Sequence, residues 1–168
     1  MDINRVPAQH MDDNPTGCCP RFHPEDWEGV ELHFRDKLFV KATVHEALHI
    51  PLDMDRVFTR VDEAIRAAGA HDPESHIVLS RDPSAWKGEH YFAVTKDVPG
   101  EEMTTLSGDF MTRVFEGPYR HAGEWMRQIH AAATARGIPD SEAWLYYTTC
   151  PRCAEYYGKN YVVALARL

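Results

Sequence analysis

The chain has 168 residues, close to the usual size of one domain. Eighteen lysines and arginines stand against 26 aspartates and glutamates, a formal charge of −8; binders of nucleic acid or anionic membrane need a basic face, so neither partner is expected. With 43% hydrophobic residues a core can form, which excludes wholesale disorder, and four cysteines are too few for a small disulfide scaffold.

Residues 1–36 read as an extended arm, broken by Pro7, Pro15, Pro20 and Pro24. Asp12, Asp13 and Asn14 stand where a signal peptide would be apolar. No apolar run is long enough for a membrane span. A soluble, cytoplasmic protein is therefore expected, in a compartment where thiols stay reduced and cysteines serve as metal ligands or redox groups. The arm carries Cys18, Cys19, Phe22 and Trp27, residues suited to docking.

Residues 37–168 read as one domain. From Lys37 to Ile50, Leu38, Val40, Ala42, Val44, Leu48 and Ile50 alternate, which predicts a long strand ended by Pro51. Asp53 is a candidate N-cap for a helix whose stripe is Met54, Val57, Phe58, Val61, Ala64, Ile65 and Ala68, closed by Gly69. Short strands follow at His76–Ser80 and His90–Lys96. The order then returns: a strand at Met103–Glu116, a helix near Arg120–Arg136 with Trp125, Met126 and Ile129 on its stripe, and strands at Ala143–Thr149 and Asn160–Arg167. Phe58 and Trp125, Gly69 and Gly137, and Tyr91 and Tyr161 are offset by nearly the same number of residues, the mark of an internal duplication. The expected fold is therefore an α+β domain of two pseudo-symmetric βαββ repeats, residues 37–100 and 101–168. Its central cleft is the default place for a small-molecule ligand.

The segment Val114-Phe115-Glu116-Gly117-Pro118-Tyr119, followed by the Trp125 helix and by Tyr146-Tyr147, resembles the GyrI-like small-molecule-binding superfamily, which includes SOUL-type haem binders and effector-binding domains of transcription activators. The resemblance implies two βαββ units and a ligand cleft; some members hydrolyse reactive small molecules and others only bind. Lys159 and Asn160 stand where that family often has a carboxylate near the start of the final strand, and the nearest carboxylate here is Glu155.

The cysteines fall into two pairs, Cys18-Cys19 and Cys150-x-x-Cys153, the second in the loop of the last hairpin. A C-x-x-C turn is a common half-site for tetrahedral zinc, and the arm supplies a second half. Four thiolates make a closed, structural Zn(2+) site that activates no water. Neighbouring residues usually point apart, so this reading needs a bent backbone at Cys18-Cys19, with Cys19 and His23 as a fallback. A redox pair and inert thiols are the other readings of Cys150 and Cys153.

His45-Glu46-Ala47-Leu48-His49 spells H-E-x-x-H, a zinc-hydrolase signature that works only on a helix, where i and i+4 are about 6 Å apart. On a strand the two histidines are about 13 Å apart, too far for one ion. The alternation favours the strand, with His49 at the cleft. Trp86, Tyr119 and Tyr146 are candidate ligand-binding aromatics; in an acidic chain they suit a planar or cationic compound. Glu116, ending an apolar strand beside Gly117-Pro118, is the candidate catalytic carboxylate, with Tyr147 to orient water or give a proton. The function expected is small-molecule handling with hydrolysis as the leading chemistry; a non-catalytic binder, a zinc hydrolase and a thiol redox protein are the alternatives.

Overall fold

A computed structural model describes residues 2–168. Seven strands and three α-helices are present among them: β1 (Glu31–Ala47), β2 (Ile50–Pro51), α1 (Met54–Ala67), β3 (Val78–Ser84), β4 (Lys87–Ala93), β5 (Met103–Glu116), α2 (Ala122–Ala135), β6 (Ala143–Tyr147), α3 (Pro151–Tyr157) and β7 (Tyr161–Arg167). The expected α+β class is corrected: this is a mostly antiparallel-sheet protein, seven strands with three helices, not a balanced α+β domain. The difference arises at the two long strands. β1 begins at Glu31, inside what reads as the arm, and β1 and β5 hydrogen-bond to each other, Lys41 N–H to Glu102 O at 2.8 Å and Thr112 N–H to Val30 O at 3.1 Å. Periodicity signals a strand but not its distant ladder partner.

The chain divides into two compact units, Asp36–Ser107 and Met1–Arg35 with Gly108–Leu168. In the first, β1 pairs with β4 and β4 with β3, all antiparallel. Val40, Ala42, Val44 and Phe92 form one apolar face, and α1 lays Val57, Val61 and Ile65 on it. Each such side chain contributes about 1.5–3 kcal/mol when fully buried, so packing rather than helix propensity holds a helix with a β-branched stripe. Asp53 stands at the N-cap, but its side chain does not cap the helix. Its carboxylate instead accepts His45 N–H at 2.8 Å and pairs with His45 Nδ1 at 2.9 Å.

In the second unit β5 pairs with β7 and β7 with β6. Trp125, Ile129 and Ala133 of α2 pack on Ala143, Leu145, Val162, Ala164 and Ala166. The arm belongs to this unit: Trp27 is buried with its ring 5.3 Å from that of Tyr146, Phe22 lies 5.6 Å from Tyr161, and the Thr112 hydroxyl donates to Trp27 O at 2.6 Å. The hairpin loop expected around Cys150 is instead the short helix α3, begun by Pro151 and ended by Gly158 in the left-handed region at φ 72°.

Candidate functional site

Two clusters of chemically capable side chains stand out, one in each unit. The first is the cysteine cluster. Gly17 takes φ 70°, and the Thr16 hydroxyl receives the N–H groups of Cys18 and Cys19. That tight bend points two adjacent sulfurs the same way, with Cys18 Sγ and Cys19 Sγ 3.8 Å apart. Cys150 is the N-cap of α3 and Cys153 lies in its first turn. One sulfur from each of Cys18, Cys19, Cys150 and Cys153 lies within 4.8 Å of the others. A tetrahedral ion with bonds of about 2.3 Å spaces its sulfurs about 3.8 Å apart, so the donor set fits. Cys150 N–H donates to Cys19 Sγ at 3.5 Å, and the Tyr157 hydroxyl donates to Cys19 O, tying the arm to α3. All four thiols are free. Burial pushes the Cys19 thiol well above its ordinary range, whereas Thr16 and the neighbouring cysteines bring Cys153 down to about 7.

The second cluster lies on the sheet face opposite α1. The register Lys41↔Tyr91 and Thr43↔Glu89 puts Lys41, Glu89 and Tyr91 on that face, and Arg81, paired with Glu89, joins them. Glu89 is only 5% exposed. Lys41 Nζ lies 3.1 Å from its carboxylate and Arg81 Nε 3.7 Å. The Tyr91 hydroxyl donates to Glu89 Oε2 at 3.4 Å and accepts from Arg81 Nη2 at 2.9 Å. Burial pushes the Glu89 carboxyl up, but Lys41 and Arg81 outweigh it and hold the group below its usual range. Burial likewise raises the Tyr91 phenol. The result is an ionised, buried carboxylate between two cations with a neutral phenol alongside. Sequence reading missed it because isolated polar residues in alternating strands look like a solvent-facing row. The available signal was local: Lys41 stands within the run Leu38-Phe39-Val40 and Ala42, and Glu89 just before Tyr91-Phe92-Ala93.

The residues singled out from the sequence are dispersed. Glu116 is exposed at the end of β5, in a shallow recess of about 410 Å³ lined by Gly117, Pro118, Ala154, Glu155 and Asn160. Phe115 and Tyr147 both pair with Val162, while Glu116 pairs with Tyr161, so Glu116 and Tyr147 leave opposite faces of the sheet. Tyr147 instead meets Tyr119, ring centroids 5.8 Å apart, and the Tyr119 hydroxyl donates to Thr149 O at 3.2 Å. Tyr146 is buried, and its hydroxyl accepts from Gln9 Nε2 at 3.4 Å. Trp86 is 62% exposed in the β3–β4 turn, and His49 lies in the turn after β1. The H-E-x-x-H segment is strand and turn, not helix, so His45 and His49 do not share one helical face.

No helix among the described residues is long and apolar enough to cross a membrane. A family model described as bacterial hydrolase matches residues 9–168, nearly the whole length. No curated protein matches the chain.

Proposed function

The chain belongs to the bacterial hydrolase family, and we propose that it hydrolyses a small organic compound at the Glu89 cluster. The observation that carries this reading is the buried Glu89 carboxylate held by Lys41, Arg81 and Tyr91. Glu89 accepts a proton from the attacking water. Lys41 and Arg81 are each about one-quarter exposed and meet the negative charge that grows on the substrate oxygen. Tyr91, neutral at physiological pH, donates to the same oxygen or to the leaving group. Two cations favour a planar substrate that is anionic or forms an oxyanion over the cationic compound that the net charge suggests.

The cysteine cluster is read as a structural zinc site joining the arm to α3. What supports this is four sulfurs at mutual distances suited to a tetrahedral ion, held by a bent arm and a helix N-terminus. With every position filled by thiolate, that ion supplies stability and activates no water. Glu116 and Tyr147 remain candidates for catalysis and are tested alongside.

The test is hydrolysis of p-nitrophenyl acetate and a panel of small planar esters by the full chain. Glu89→Gln keeps the shape and removes the base, so turnover falls at least 100-fold with the melting temperature monitored in parallel. Tyr91→Phe lowers kcat by a smaller factor. Turnover unchanged in Glu89→Gln but lost in Glu116→Gln moves the chemistry to the β5 recess. Ligand-induced stabilisation without turnover leaves a binding protein.

A further inference from the structure

The H-E-x-x-H segment, in its strand-and-turn form, assembles a different trio. β1 ends at Ala47, and Leu48 and His49 take φ 50° and 66°, so the chain reverses in two residues and Ile50 pairs back on Ala47. In continuous strand Glu46 and His49 would leave opposite faces about 10 Å apart. The reversal brings the imidazole back towards Glu46. Glu46 N–H donates to Trp86 O and His49 N–H to Ala85 O, each at 2.9 Å, which pins this turn to the one between β3 and β4. Asp82, in β3, completes the set. One donor atom each from Glu46, His49 and Asp82 lies within 4.8 Å of the other two, and His49 Nδ1 is 3.4 Å from Asp82 Oδ2.

Glu46 is the informative member. The residue is 5% exposed, and its Oε2 is buried with no hydrogen-bond partner. Such an oxygen is costly unless something positive meets it. Room for the carboxylate exists because residue 88 is glycine: a Cβ there would stand 2.5 Å from Glu46 Oε1. Burial and the neighbouring Asp82 push the Glu46 carboxyl up to about 7.

We infer that Glu46, His49 and Asp82 form a binding site for a divalent first-row transition ion. One imidazole nitrogen disfavours magnesium and calcium, which take oxygen ligands, and the lack of sulfur disfavours copper(I). Bonds of about 2.0–2.2 Å draw the donors closer than they stand now. The His49 and Asp82 side chains, 58% and 39% exposed, close on the ion while buried Glu46 stays in place. Three protein donors leave positions for water. By strand alternation Glu46 lies on the face of β1 that carries Val40, Ala42 and Val44, opposite Lys41, so this site is separate from the Glu89 cluster.

The probe is manganese(II), which is oxygen-preferring and so discriminates against the thiols. The full chain, stripped with chelator and desalted, is titrated while the six-line signal of free manganese is followed by electron paramagnetic resonance. One ion binds per chain, and Asp82→Asn and His49→Ala, both at exposed side chains that folding tolerates, weaken it at least tenfold, as does Glu46→Gln. Glu63→Gln, at an exposed carboxylate of α1 outside the trio, leaves it unchanged. The inference is overturned by no binding up to millimolar manganese, in which case Glu46 and Asp82 share only a proton. It is also overturned by binding that survives all three ligand changes, or that Glu63→Gln abolishes.

Discussion

Gly88 illustrates how one missing side chain shapes its surroundings. A Cβ at this position would meet Glu46 Oε1 at 2.5 Å and Val44 Cγ2 at 2.8 Å, both closer than real contacts allow. Gly88→Ala is therefore expected to destabilise by about 1–3 kcal/mol, the usual cost of overpacking a well-filled site, and to displace Glu46; chemical denaturation measures the first and manganese binding the second. His90 is a second case. It is 3% exposed, with Nδ1 2.7 Å from Ser80 Oγ and its ring edge-on to Phe58, and burial holds its pKa down to about 4. The folded chain thus resists a proton that the unfolded chain accepts near pH 6.5. Stability from this group is complete above pH 6.5 and falls as pH drops towards 4, by about 1.4 kcal/mol per pH unit in that window. Urea midpoints between pH 7 and pH 4.5 check it, and His90→Gln flattens the slope.

At the scale of elements, the Leu48-His49 turn is built against residue preference. Two-residue turns with positive φ at both positions favour Asn-Gly, and leucine pays for the left-handed conformation while remaining 70% exposed. Leu48→Asn should stabilise the chain by about 0.5–1 kcal/mol, raising the melting temperature, without touching the three proposed ligands. The strained turn is held by Glu46 N–H to Trp86 O and His49 N–H to Ala85 O, and it carries His49 to Glu46. The link between α3 and the arm is the second case. On the zinc reading, a chelator or Cys153→Ser should lower the melting temperature and make residues 10–25 more open to limited proteolysis, leaving them held by ties such as Tyr157 to Cys19 O, Arg21 over the Tyr157 ring and Phe22 against Tyr161. Mass spectrometry under native conditions counts the metal, and a full-length thermal profile unchanged by chelator argues against the zinc reading.

For the molecule as a whole, local pattern and long-range pairing carried different information. The stripes of Val57, Val61 and Ile65 and of Trp125, Ile129 and Ala133 were legible because a helix buries every third or fourth residue, whatever lies beneath it. β5 was legible to its ends for the matching reason of strand alternation and a Gly-Pro stop. The grouping of Cys18-Cys19 with Cys150 and Cys153 was legible because sulfur chemistry limits where four reduced cysteines make sense together. The fold class was not legible, because the β1–β5 ladder joins residues some 60 to 80 apart and no local period encodes a partner. Nor was the Glu89 cluster, whose members Lys41, Arg81 and Glu89 are adjacent only through the β1–β4–β3 register. By itself the sequence determined the two long helices and most of the strands, the apolar stripes they bury and which cysteines lie together, but neither the short helix α3 nor the start of β1. Only the tertiary structure decided which charged groups meet, because pairing depends on register between strands, and a slip of one residue sends every side chain to the other face.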